Sequence, residues 1–267
     1  MKDRALQLAA AAPQGQRRNI LREYVQAHIL YSLQSVRAFE QIAFVGGTAL
    51  RFLYGLHRYS EDLDFSLERG DGYNFDHLLD RVESDLVKAG FDVTVHPHKG
   101  EPIHSAFIRL PGLLYDAGLS PHRTEKLSVK IEIDTNPPEG ATTLTTLINR
   151  YFLLALLHYD LPSLMAGKLH ALLSRPYTKG RDIYDLLWYL TRPDHIEPNI
   201  PLLRNALSQT GWNGPQVTAE NWREIIANKI GGLDFTRIAD DVSPFLERPE
   251  DRALLTRDIV LSALQQA

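Results

Sequence analysis

GGTALRFLYGLHRYSEDLDFSL, residues 46–67, holds in order a glycine pair, a helix-length segment and an Asp62-Leu63-Asp64 triplet inside an apolar run. Ile42-Ala43-Phe44-Val45 stands directly before it, and a short apolar run ending in Gly-Gly-Thr reads as a strand turning into a helix. Side chains two apart on an extended segment point the same way, so the spacing predicts that Asp62 and Asp64 share a face. Two carboxylates held that close repel and resist joint ionisation unless a cation sits between them. Mg²⁺ takes one or two carboxylates together with substrate phosphates, and the pair fits such a metal site. A helix start leaves backbone N–H groups free and glycine lets a ligand approach closely, so Gly46, Gly47 and Thr48 form a candidate phosphate cradle. Ser60 lies two before Asp62 and shares its face if the chain is extended there. Alone, Gly-Gly-Thr is a turn with Thr48 as helix N-cap, and Asp-x-Asp is common in surface turns. The order strand, Gly-Gly-Thr, helix, Ser60, Asp-Leu-Asp is what makes the combination specific.

The whole chain has 267 residues, 44% hydrophobic and 23% charged, which is ordinary for a soluble globular protein and enough for one large or two small domains. It has no cysteine, which excludes disulfides, thiolate zinc sites and cysteine nucleophiles and fits a reducing compartment. The opening MKDRALQLAAAAPQGQRR lacks the apolar stretch of a signal segment, and no later stretch approaches a membrane-spanning length, so a cytoplasmic protein without membrane contact is expected. The net charge of −4 argues against a surface that is basic all over. Between Ser120 and Arg181, however, eight Lys or Arg face five Asp or Glu, a surplus of three, leaving the remainder at −7. A locally basic stretch beside an acidic metal site suits a substrate that carries phosphates; solvation of helix faces would explain the same charges.

Three regions follow. Residues 1–41 contain one or two helices, with apolar positions at helical spacing from Ile20 to Val36. Residues 42–138 alternate strands and helices: Ile42 to Val45, a helix from Thr48 to Leu56, Asp62 to Leu67, a helix from Phe75 to Ala89, then strands around Phe91 to Pro97, Ser105 to Arg109 and Leu127 to Asp134. Asn136-Pro137-Pro138-Glu139-Gly140 stops regular structure. Residues 139–267 read as mostly helical, with segments at Leu161 to Ser174, Arg181 to Leu190, Ile200 to Thr210, Asn221 to Ile230 and Asp251 to Ala267. The fold class is α+β (mixed α/β), a sheet domain followed by a helical one.

Two later segments carry chemistry. Leu164, Lys168, Leu172 and Arg175 lie along one stripe of the Leu161 to Ser174 helix. A lysine in an apolar stripe either snorkels or delivers a point charge to a phosphate group. In Lys179-Gly180-Arg181-Asp182-Ile183-Tyr184-Asp185-Leu186, Asp182 sits in the first turn of a helix, where the dipole favours a carboxylate. Arg175, Lys179 and Arg181 are candidate phosphate contacts. The chain has no GxxxxGK[ST], GxGxxG or HExxH motif, so P-loop, Rossmann and zincin chemistry are set aside.

These elements resemble motif I of the DNA polymerase β-like nucleotidyltransferases, specifically the AbiEii-like toxin family of bacterial toxin–antitoxin systems. The likeness runs over roughly residues 40–190: the glycine-led turn, the Ser-x-Asp-x-Asp element at Ser60, Asp62 and Asp64, the lysine helix and the Arg-Asp segment. The wider superfamily usually has Gly-Ser and a shorter insert, where this chain has Gly-Thr and a longer one. The resemblance implies a nucleotidyltransferase-fold sheet domain, with the helical domain contributing Lys168 and Asp182 to the site. It also implies an enzyme that transfers NMP from an NTP to an RNA acceptor, the tRNA 3′ end, with Mg²⁺ as cofactor and a cognate antitoxin protein as partner. Asp62 and Asp64 would be metal ligands and catalytic. Lys168 would be catalytic and, with Gly46, Gly47, Thr48, Ser60 and Arg181, nucleotide-binding. Asp182 would act as base or orienting group, with Asp185 structural. In Ser128 to Asp134, SVKIEID, the alternation puts Lys130, Glu132 and Asp134 opposite an apolar face. If that strand lies beside Asp62-Leu63-Asp64, as the resemblance implies, Glu132 is the third metal carboxylate and Asp134 the reserve; otherwise the face is solvent-facing. The rival readings are a catalytically idle module of the same fold that binds RNA or protein, and a nucleotidyltransferase acting on a protein or small molecule.

Overall fold

The computed structural model describes residues 1–266, and the chain divides into two units. The first takes residues 1–55, 59–137 and 144–158; the second takes 56–58, 138–143 and the chain from 159 onward.

The first unit opens with helices α1 (Lys2–Ala11) and α2 (Arg17–Ser35). In α2 every residue from Leu21 to Leu30 is buried, so the apolar stripe read from the sequence is embedded on all sides. Its polar residues therefore need partners. Glu23 receives Arg51, Arg150 at 2.9 Å and the Tyr151 hydroxyl at 2.8 Å.

There follow β1 (Ile42–Val45), α3 (Gly46–Tyr54), β2 (Leu63–Leu67) and α4 (Phe75–Lys88). Asn74 caps α4 by accepting the His77 N–H, and α4 buries Phe75, Leu78, Leu79, Val82 and Leu86, the i, i+3, i+4 pattern of an amphipathic helix. The unit is completed by β3 (Thr94–Lys99), β4 (Ile103–Pro111), the single turn α5 (Leu113–Asp116), β5 (Lys126–Asp134), β6 (Thr143–Asn149) and β7 (Leu153–Tyr159). The seven strands make one sheet in the order β3-β4-β5-β2-β1-β7-β6. β1 pairs antiparallel with β2 and parallel with β7, and β2 pairs parallel with β5. Leu127, Val129, Ile131 and Ile133 of β5 are buried and their neighbours are not, as the SVKIEID alternation requires.

The second unit is helical: α6 (Leu161–Ser174), α7 (Gly180–Leu190), α8 (Ile200–Gln209), α9 (Trp222–Gly231), α10 (Phe235–Val242) and α11 (Arg257–Gln266). Two expectations need correction. The stretch after residue 139 is not helical throughout, because β6 and β7 return to the sheet. Leu154, Leu156 and His158 are buried while Leu153 and Ala155 are exposed, a two-residue period that the run of leucines conceals. The helix expected from Asp251 begins instead at Arg257 after a 3₁₀ turn over Pro249–Leu254, and Ala267 lies outside the described residues. None of the described helices is long and apolar enough to cross a membrane.

Candidate active site

In the first unit the strand register brings the acidic residues to the glycine turn. Antiparallel pairing of β1 with β2 sets Asp64 opposite Val45, the residue before Gly46. Asp64 therefore stands where β1 ends and α3 begins. Gly46 has φ +77°, and a Cβ built on it would overlap the Asp64 carboxylate. Glycine is required here twice, for the backbone angle and for the space the carboxylate fills. The same position lies at the first turn of α3, where the helix dipole favours negative charge.

Parallel pairing of β2 with β5 sets Asp64 beside Glu132 and Ser66 beside Asp134. Directly paired residues share a face, so Glu132 is the neighbour of Asp64 and Asp134 stands two residues further along. Lys130 Nζ lies 2.7 Å from Glu132 Oε1. Asp134 is half-buried; burial pushes its carboxyl above the usual range, opposed by the Asn136 N–H that it accepts at 2.9 Å.

Asp62 precedes β2, which begins at Leu63. Its backbone carbonyl accepts the Thr48 hydroxyl at 2.5 Å. This changes the role read for Thr48. α3 starts at Gly46 with Val45 at the cap position, so Thr48 lies inside the first turn and is not the N-cap; its side chain is fully buried. The hydroxyl ties the Asp62 loop to α3, and a phosphate would meet this turn through backbone N–H groups. Gly47 is buried in the same turn. Ser60 is partly exposed, and its carbonyl accepts from Gln26 Nε2 at 3.1 Å. Replacing Gly46 by alanine should force Asp64 aside and strain the turn, costing about 1–3 kcal/mol of stability. Thermal unfolding would read that cost.

In the second unit Lys168, on α6, projects into a set of charges from α7 and the preceding loop. Asp160 caps α6 by accepting the Ser163 N–H at 2.9 Å, with Pro162 in the first turn. Lys168 Nζ lies 2.7 Å from Asp185 Oδ2 and 3.3 Å from Asp182 Oδ1. Arg175 reaches the other Asp182 oxygen at 2.5 Å. Arg58 holds Asp185 in a fork, Nε to Oδ1 and the second terminal nitrogen to Oδ2, both 2.6 Å. Asp185 and Arg58 are almost wholly buried, whereas the Lys168 side chain keeps 14% exposure. Burial alone would raise the Asp185 carboxyl, but the charges of Arg58 and Lys168 and their hydrogen bonds prevail and hold it below its ordinary value.

The sequence gives Lys168 and Asp182 separate roles in the site and reads Asp185 as structural. The structure joins Lys168 to both, with Asp185 the shorter contact. The i, i+3 spacing of Asp182 and Asp185 was the available signal; nothing near Arg58 in the sequence announced its role. Arg181 goes elsewhere, its guanidinium over the Phe245 ring at 4.5 Å from the centroid.

Asp62, Asp64 and Glu132 offer hard carboxylate oxygens, the donor type that suits Mg²⁺. Among the described residues no three His, Cys, Asp or Glu side chains converge as a ready-made metal cage. A pair of carboxylates completed by phosphate oxygens and water remains chemically suitable, since Mg²⁺ uses one or two such ligands.

The chain as a whole has counterparts among solved structures. A crystal structure described as a nucleotidyltransferase from H. pylori is 20% identical with a TM-score of 0.55, covering 96% of this chain and 96% of its own. JHP933 from Helicobacter pylori is 20% identical with a TM-score of 0.54, covering 93% of this chain and 92% of its own. The chain shares its fold with these two structures. No curated protein matches the chain. Residues 28–257 match the family described as nucleotidyl transferase AbiEii toxin of a type IV toxin–antitoxin system, and the chain belongs to that family. Membership makes it an enzyme of nucleotidyl transfer and implies an antitoxin counterpart.

Proposed function

We propose that the protein transfers NMP from an NTP to a hydroxyl of an RNA acceptor, the tRNA 3′ end, and that the reaction depends on Mg²⁺. The observation that carries the reading is the Asp64 carboxylate standing over Gly46 at the start of α3, beside Glu132. In this reading Asp64 and a neighbouring carboxylate, Glu132 or Asp62, would hold the metal, and the Gly46-Gly47 turn meets the nucleotide phosphates through its N–H groups. Bound there, Mg²⁺ would neutralise phosphate charge as the α-phosphorus is attacked. The acceptor hydroxyl gives its proton to solvent water as its oxygen forms a new bond to the α-phosphorus, the bond to the bridging oxygen of the β-phosphate breaks, and pyrophosphate departs. Lys168 is assigned to the charge that grows on the leaving group. Asp182 is assigned to the acceptor hydroxyl, and its pairing with both Lys168 and Arg175 favours orienting that hydroxyl over removing its proton.

Incubating the protein with total RNA and each labelled NTP in turn, with and without Mg²⁺, reports activity, base preference and acceptor together. Label appearing in tRNA is the expected result. Label entering protein or a small molecule would overturn the acceptor assignment, and label appearing equally without a divalent ion would overturn the metal. Thermal unfolding offers an independent check. NTP with Mg²⁺ should stabilise the protein by about 2.7 kcal/mol at a hundredfold excess over Kd, and neither should do so alone.

A further inference from the structure

We infer that a cavity in the second unit, lined by Tyr177, Lys179, Arg181, Asp234, Arg237 and Asp241 among others, is a subsite for one nucleotide of single-stranded RNA. Its backbone phosphate would lie against the cations and its base on the Tyr177 ring. This deepens the proposed function and rests on the RNA acceptor named there.

The cavity encloses about 340 Å³, within the span of small-ligand sites. Close packing of α7 on α10 forms one wall, because Gly180 has no side chain: a Cβ there would overlap the Ile238 carbonyl. Three lining side chains are cationic and two are acidic, and the acidic ones are anchored to main-chain groups. Asp241 Oδ2 accepts the Gly180 N–H at 2.7 Å, and Asp234 Oδ1 accepts the N–H groups of Thr236 and Arg237 at 3.0 and 3.2 Å. Arg181 is steadied by the Phe245 ring. Tyr177 is 63% exposed. An exposed ring at the mouth of a cation-lined cavity is the combination that holds single strands, with stacking for the base and positive charge for the backbone. Arg181 directly precedes Asp182 on α7, so a strand seated here runs close to the residue assigned to the acceptor hydroxyl.

The test uses the full-length protein and a fluorescein-labelled single-stranded oligoribonucleotide, followed by anisotropy over a series of salt concentrations. Tyr177→Ala should weaken binding roughly tenfold, as expected for one lost base stack. Lys179→Ala with Arg237→Ala should flatten the log–log salt dependence by about 0.7 for each cation removed. Tyr177 is exposed, so its replacement spares the fold; if the double variant unfolds at lower temperature, the Lys179→Gln and Arg237→Gln pair replaces it. Unchanged affinity and salt slope would overturn the subsite. So would displacement of the oligonucleotide by a free mononucleotide of equal affinity, which would make the cavity a mononucleotide site. Wild-type protein that responds to Mg²⁺ with NTP but binds no oligonucleotide overturns the subsite alone. If that response is missing while the variants weaken RNA binding, the proposed reaction fails and the subsite stands.

Discussion

Asp64→Asn should lower NMP incorporation from labelled NTP by about a thousandfold or more, because a bound metal contributes several kcal/mol to the transition state and each 1.36 kcal/mol is a factor of ten. Asparagine keeps the shape that fills the space above Gly46, so the turn and β2 should survive and thermal unfolding should change little. What is lost is the negative charge at the one position where strand register, helix dipole and neighbouring Glu132 coincide. Asp134→Asn is the control. Asp134 is paired with Ser66 two residues further along, and its carboxyl already binds the Asn136 N–H. Its replacement should leave the transfer rate within a few-fold of wild type. If Asp64→Asn works at the wild-type rate, the metal assignment is wrong, whatever the acceptor proves to be.

Asp185→Ala should have the largest effect on stability. Asp185 is fully buried between Arg58 and Lys168, and removing it strands the Arg58 guanidinium in the interior without its fork partner. Breaking a buried pair from one side costs about 3–5 kcal/mol. At a few degrees per kcal/mol, that lowers the melting temperature by roughly 10 °C or more. The double replacement Arg58→Met with Asp185→Leu removes both charges together and should recover much of the loss, which calorimetry can measure. The same pair sets an acid limit. The Asp185 carboxyl is held below its ordinary value of 3.8, so its stabilisation is fully present above that value and is lost as pH falls through the depressed one. In Asp185→Asn the acid-induced loss of stability should be correspondingly shallower in that window.

Both predictions lean on residues that the sequence revealed unequally. Asp64 was legible because strand alternation, a glycine pair and a charged triplet in an apolar run are local signals. β5 was legible for the same reason, since its buried and exposed residues alternate without interruption. That Glu132 rather than Asp134 neighbours Asp64 follows from strand register, a long-range property. Arg58 was opaque because a single arginine in a loop has no period, and its partner lies far along the chain at Asp185. Thr48 is the opposite case. A threonine after two glycines is a good N-cap by composition, yet the left-handed Gly46 opens the helix two residues early and turns that hydroxyl inward to Asp62. β7 went unread because Leu153 to Leu157 is apolar throughout, and periodicity alone does not separate a strand from a buried helix in so short a run.

The return of β7 to the sheet has a consequence for anyone wishing to divide this protein. The Pro137-Pro138 stretch looks like a linker, but a chain ended there would lack the strand that pairs with β1 on its far side. β1 would become a raw edge, and it is the strand that delivers the chain to Gly46. Exposed apolar edges invite pairing with other chains, so such a fragment should aggregate instead of folding. No single scission liberates the sheet intact: a separable catalytic half would need residues 144–158 spliced back by a new connection. Shuffling by simple truncation or end-to-end fusion at Pro137 is therefore closed to this polypeptide, and it must be inherited as one piece.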